Sequence, residues 1–162
     1  MLESIFLDSY KNYSQSEFSL TQKNLIIGSN GTGKTHILQA IYDMCLGRFS
    51  DNFFRDTTSQ SINMSLSQNQ TTSLYRMHSQ CDVYSFFLHG KKITRKSYLE
   101  NFPLRAVLFT PIDMNMLYLS PSYRRDFLDN ILLQVFPQFS KIRSNYTRSL
   151  KQRNTLLKNI SE

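Results

Sequence analysis

The chain has 162 residues, a formal net charge of +7 and 40% hydrophobic residues with no tryptophan. That length supports a domain with a core of its own, and the lack of any run of 18 apolar residues excludes a membrane-spanning helix. Met1-Leu2-Glu3-Ser4 carries no basic n-region, which speaks against a secretory leader.

Residues 2–27 read as strands. Ile5 and Leu7, then Phe18 and Leu20, alternate with polar residues as half-buried strands do. Asn24-Leu25-Ile26-Ile27 is a short apolar run that predicts a buried strand. It leads into Gly28-Ser29-Asn30-Gly31-Thr32-Gly33-Lys34-Thr35, which matches G-x-x-x-x-G-K-[ST] at every fixed position. The pattern implies ATP or another triphosphate with Mg²⁺. Glycines let the backbone wrap a phosphate without side-chain clash. Their N–H groups and the positive end of the next helix attract the anion. Lys34 is placed to reach the β- and γ-phosphates, and the Thr35 hydroxyl to ligate Mg²⁺. Ile37, Leu38, Ile41 and Cys45 then recur at helical spacing on one face, and Gly47 stands where a C-cap glycine is expected.

Cys45 and Cys81 are the only cysteines, in no metal-ligand or C-x-x-C spacing, which fits a reducing cytoplasmic setting. Cys45 reads as a core residue. His36, His78 and His89 are scattered and read as structural or surface residues.

Residues 57–81 are nearly uncharged and rich in Ser, Thr, Gln and Asn. The alternation in Ile62-Asn63-Met64-Ser65-Leu66 and Leu74-Tyr75-Arg76-Met77 still favours antiparallel strands. Val83 to Leu88 reads as another strand, and His89-Gly90 as a hairpin turn into Lys91-Lys92-Ile93. Ala106 to Phe109 reads as a short strand ending at Pro111.

The character then becomes helical. Ser120-Pro121 is an N-cap followed by proline at the first helical position, with Phe127, Leu128, Ile131, Leu132 and Val135 on one face and Pro137 as the stop. A second helix over residues 139–160 aligns Ile142, Tyr146, Leu150, Leu157 and Ile160. Packing into a core is the expected role of both stripes. Arg124 and Arg125 sit in a first helical turn, where cations cost a few tenths of a kcal/mol each. They point either to a phosphate contact or to an ion-pair network, for which Asp126 and Asp129 are near. Residues 1–90 carry a net charge of −1 (6 Lys/Arg, 7 Asp/Glu) and residues 91–162 one of +8 (13 Lys/Arg, 5 Asp/Glu). A basic half of this kind suits a nucleic-acid partner or an acidic surface outside the chain. Arg143, Lys151 and Lys158 fall on one helical face and are the stripe expected to meet DNA, with Arg124 and Arg125 as further DNA candidates.

The loop residues together with Leu38-x-Ala40-Ile41-Tyr42 and Gly47-Arg48 resemble the first motif block of the RecF family. So do Leu7-x-x-Tyr10-x-Asn12-Tyr13, Val107-Leu108-Phe109-x-Pro111-x-Asp113, Ser120-Pro121-Ser122-x-Arg124-Arg125-x-Phe127-Leu128-Asp129 and Leu150-Lys151-Gln152-Arg153-Asn154. The resemblance implies an α/β P-loop ATPase head of the ABC/SMC type, with a mixed sheet and an antiparallel β-subdomain. The ATPase lobe would span residues 1–110, and a helical lobe would begin at 111–162. It implies ATP-controlled homodimerisation, DNA binding at single-strand gaps, and action with RecO and RecR in RecA loading during DNA repair.

Several features depart from the family pattern. Ser29 and Ile112 stand where acidic residues are usual, and residues 49–81 match poorly. Family members run to about twice this length, and the signature motif and the acidic Walker B strand are missing. Pro111 interrupts the one strand that imitates Walker B, so Asp113 is not taken as a magnesium ligand and no catalytic residue is assigned. The chain is therefore expected to be a fragment or truncated product that binds ATP without turnover. A small kinase, with Arg95 to Arg105 as a lid, lacks an acceptor-site carboxylate, and a GTPase would need N-K-x-D. A non-catalytic DNA- or partner-binding module with a relic loop is the remaining alternative.

Overall fold

The computed structural model describes residues 1–49, 59–81, 83–111, 113–115, 118–136 and 138–160. They fall into two compact units, 1–111 and 112–162.

The first unit is built on a six-stranded antiparallel sheet of order β2-β1-β3-β4-β5-β6. Its strands are β1 (Leu2–Tyr10), β2 (Tyr13–Ser19), β3 (Ser59–Gln68), β4 (Thr71–Gln80), β5 (Val83–Leu88) and β6 (Lys91–Ile93). The expected alternation sets the register. Ile5 pairs with Met64 and Leu7 with Ile62, and Met64 in turn with Tyr75 and Ile62 with Met77, so one face is continuously apolar. Two-residue turns at Asn69-Gln70 and His89-Gly90 hold both residues at positive φ, the backbone twist that two-residue hairpins need.

Helix α1 (Lys34–Leu46) covers the apolar face. Ile37, Ala40, Met44 and Cys45 are buried there with Ile5, Leu7 and Ile62, while Leu38, expected on the same face, is nearly half exposed. Gly47 ends the helix at φ 57°; its N–H donates to the Met44 carbonyl and the Arg48 N–H to that of Asp43, both at 3.2 Å.

A second helix, α2 (Arg95–Asn101), shows no extended apolar stripe, because only Tyr98 is buried and Leu99 alone joins it on the core. The Tyr98 hydroxyl donates to the Met44 carbonyl at 2.9 Å, and its ring packs among Tyr75, Phe86 and Phe102. The Arg95 guanidinium donates to the carbonyls of Gly47 (3.0 Å) and Leu46 (3.3 Å), and Arg105 donates to those of Phe102 and Leu104. Both arginines of the supposed lid thus serve backbone carbonyls.

Two expected strands are not strands. Residues 24–29 and 102–110 run without a ladder. Ile26, Leu104 and Ala106 pack on the core, but Leu25 (83%) and Ile27 (81%) are exposed, as are Val107 and Phe109. Apolar residues pointing both ways suit a strand paired on both edges and covered on both faces. Among the described residues no strand pairs with either segment.

The second unit holds a 3-10 turn at Asp113–Asn115, α3 (Pro121–Val135) and α4 (Phe139–Ile160). The Ser120 hydroxyl caps α3 by accepting from the Tyr123 N–H, as its sequence indicates. The stop assigned to Pro137 lies outside the described residues. The apolar stripes do not make a core. Among the described residues of this unit only Asp113 and Gln134 are buried, while Leu128, Val135, Ile142, Tyr146 and Leu157 are exposed.

Candidate nucleotide site

The loop 28–33 joins the extended run 24–27 to α1 and is shaped by its glycines. Gly31 and Gly33 lie at φ 84° and 96°, a region that costs other residues roughly 1–2 kcal/mol. A Cβ on Gly28 would stand 3.1 Å from Thr32 Oγ1, the hydroxyl that donates to the Ser29 carbonyl at 2.9 Å and draws the loop closed.

The start of α1 suits an anion. Its N-cap is Gly33, no side chain caps it, and no acidic residue lies in its first turn. The positive end of the helix macrodipole therefore meets no protein anion in that turn. Thr35 is exposed in this turn, and Ser29, Asn30, Gly31 and Thr32 are exposed along the loop. The Lys34 ammonium donates to the carbonyls of Gly28 (2.8 Å) and Ser29 (2.6 Å). It is held against the loop by neutral partners that a phosphate, a stronger acceptor, can replace. These residues fit a magnesium–triphosphate. Lys34 would supply charge and Thr35 a hydroxyl, with the phosphates completing the metal's shell. Among the described residues no group of three or more His, Cys, Asp or Glu could hold a metal.

The tip of the β1–β2 hairpin lies against this loop, and spacing gave no sign of it. Asn12 Oδ1 accepts from His36 Nδ1 at 2.6 Å, and the Tyr13 hydroxyl lies 3.4 Å from the Thr32 carbonyl. In the third turn of α1, Tyr10 and Gln39 both donate to the buried Asp43 carboxylate. Tyr10, Asn12 and Tyr13 stood in a family-like block with no role attached, and His36 read as structural or surface. Only the fold brings Asn12 and Tyr13 to the loop.

The other sequence candidates lie in the second unit. Arg124 Nη1 donates to the Leu119 carbonyl at 2.8 Å, and Arg125, Lys151 and Lys158 are exposed. Arg143 pairs with Asp126 (3.2 Å) and Asp129 (2.9 Å). Those two acids therefore serve an arginine of α4, where the sequence suggested relief for Arg124 and Arg125. Asp113 is buried and accepts from the Tyr123 hydroxyl at 2.6 Å.

No family model matches the chain. Individual proteins do. The DNA replication and repair protein RecF of Prosthecochloris aestuarii is 35% identical over 167 residues, covering 96% of this chain and 44% of that protein. RecF of Streptococcus thermophilus is 34% identical over 170 residues (99% and 46%), and RecF of Clostridioides difficile 30% over 167 (98% and 44%). The chain spans about half the length of the curated relatives it matches. Among solved structures, the SMC head domain from Thermotoga maritima superposes with a TM-score of 0.52 at 20% identity, over 59% of this chain and 40% of that one. That likeness speaks to fold alone, and it is the ABC/SMC type of P-loop head. Over nearly every residue the chain is similar to these RecF proteins, and it matches about half of their length, as a RecF segment would.

Proposed function

We propose that this chain is the ATP-binding and DNA-binding portion of a RecF-type DNA replication and repair ATPase. In this reading residues 1–110 belong to the ATPase lobe, and residues 111–162 begin a helical lobe with a DNA-facing basic surface. The complete protein would dimerise with ATP in the cytoplasm and act with RecO- and RecR-type partners at single-strand gaps to promote RecA loading. The observation that carries the reading is the shaped loop at Gly28–Thr35 ending at an uncapped helix start. The RecF matches supply the biological setting.

Turnover is not part of the proposal for this chain alone. Hydrolysis of the ABC type needs a metal-holding carboxylate, a base for water and a signature loop. Asp113 accepts from the Tyr123 hydroxyl, and none of the described residues is assigned those roles.

The test is titration of the purified chain with a fluorescent ATP analogue and Mg²⁺. The chain should bind, Lys34→Ala should bind at least tenfold more weakly, and no phosphate should be released above background. Equal binding by the two proteins rules out the site. Lys34-dependent hydrolysis rules out binding without turnover. DNA binding that is sensitive to salt and indifferent to ATP, from a chain that binds no nucleotide, would favour the relic-loop module.

A further inference from the structure

We propose that Asn12 is a positioning residue for the phosphate-binding loop, acting through Gly33 and His36 and not by touching the nucleotide. The proposal rests on the nucleotide reading above. Gly33 is buried, and a Cβ built on it would stand 2.5 Å from Asn12 Nδ2, 2.7 Å from Asn12 Oδ1 and 2.8 Å from the Tyr13 hydroxyl. The hairpin tip therefore presses on the last loop residue before α1, at a place where only hydrogen fits. Asn12 Oδ1 also accepts from His36 Nδ1, 24 residues further along and in the first turn of α1. A carbonyl oxygen only accepts, so His36 must carry its proton on Nδ1. One side chain thus spans both residues that flank Lys34 and Thr35.

Local bonds join the loop to the helix at this junction, and Asn12 adds to them from a different element. Thr32 closes onto Ser29, the Lys34 side chain reaches back across Gly33 to the Gly28 and Ser29 carbonyls, and the His36 and Ile37 N–H groups donate to the Gly33 carbonyl at 2.8 and 3.3 Å. At Gly33 the backbone sits at φ 96°, in a region glycine enters and leaves freely. Asn12 braces this junction from the hairpin, packing on Gly33 and bonding His36, while the T-shaped contact of Tyr13 with Phe18 (5.4 Å) steadies the tip. A site held in its binding geometry before the ligand arrives loses less freedom on binding.

The test is the affinity of the full chain for Mg²⁺ with inorganic pyrophosphate, ADP and ATP, in wild type, Asn12→Ala, His36→Ala and the double variant. Asn12→Ala should weaken all three ligands by the same factor, about tenfold, as loss of one hydrogen bond's net contribution implies. The double variant should lose no more than the larger single loss. Unchanged affinity in Asn12→Ala overturns the proposal. A loss confined to ADP and ATP, or to ATP alone, also overturns it by making Asn12 a contact to nucleoside or γ-phosphate. Additive losses overturn the His36 link. Each variant is melted without ligand, and an affinity loss that tracks a lowered melting temperature is a stability effect and counts against positioning. Failure of wild type to bind pyrophosphate, or equal binding by Lys34→Ala, removes the nucleotide reading and this proposal with it.

Discussion

The Tyr10 hydroxyl donates a 2.8 Å hydrogen bond to Asp43 Oδ2 inside the core, tying the end of β1 to the third turn of α1. Asp43 has no solvent exposure, and Gln39 donates to its other oxygen at 3.0 Å. A buried carboxylate is tolerated only where donors replace its water. Here the donors also fix the helix that carries Lys34 to the strand that leads to Asn12. Tyr10→Phe keeps the ring and removes one donor. It should destabilise the first unit by about 1–3 kcal/mol, the cost of a buried acceptor left short, seen as an earlier urea midpoint. An unchanged midpoint would show that the bond contributes nothing net.

Burial among α1, the sheet and Tyr98 pushes the Cys45 thiol up to about 12, against an opposing pull from Arg105. In the unfolded chain the thiol ionises near 9.0. Between these values the unfolded state has lost a proton that the folded state keeps. Stability therefore falls as pH climbs from about 9 towards 12, by up to about 1.4 kcal/mol per pH unit, and is untouched by this group below 9. Tyr98 and Tyr75, raised by burial as well, act in the same direction at higher pH. Urea midpoints at pH 8, 9, 10 and 11 check the trend, and a flat series contradicts it. In native protein a thiol reagent should label exposed Cys81 and spare Cys45.

Lys151 and Lys158 are exposed on α4, whereas Arg143 is occupied by Asp126 and Asp129. Lys151→Glu with Lys158→Glu should weaken DNA binding and reduce the slope of log affinity against log salt by about two. Arg143→Ala should change that slope less and instead loosen α3 from α4, lowering the melting temperature. A larger slope change from Arg143→Ala than from the lysine pair would reverse the assignment.

Leu25 and Ile27 stand exposed on an extended segment without ladder partners, and so do Val107 and Phe109. Unpaired apolar edges recruit other chains. The purified chain should self-associate with rising concentration. Leu25→Thr with Ile27→Thr, which keeps β-propensity, should reduce light scattering without lowering the melting temperature. Undiminished scattering would place the sticky surface elsewhere, with the open stripes of α3 and α4 next in line.

Much of this protein was legible in its residues because local chemistry enforces it. The glycine loop, the Gly47 cap, the Ser120-Pro121 helix start, the alternating strands β1, β3 and β4 and the apolar strand β5 all rest on preferences that act within a few residues. The antiparallel sheet follows, because its strands join through two-residue turns or pair by matching apolar faces. Tertiary structure decided what local preference could not. Leu25-Ile26-Ile27 and Val107-Leu108-Phe109 have strand composition, yet a strand exists only with neighbours to bond. Asp126 and Asp129 met Arg143 instead of the nearer arginines because the α3–α4 hairpin brings α4 alongside. Asn12 reaches Gly33 and His36 across more than twenty residues, and no spacing rule records a contact made by a hairpin tip. Sequence determined that a phosphate loop forms, and the packing of the hairpin on α1 determined what supports it.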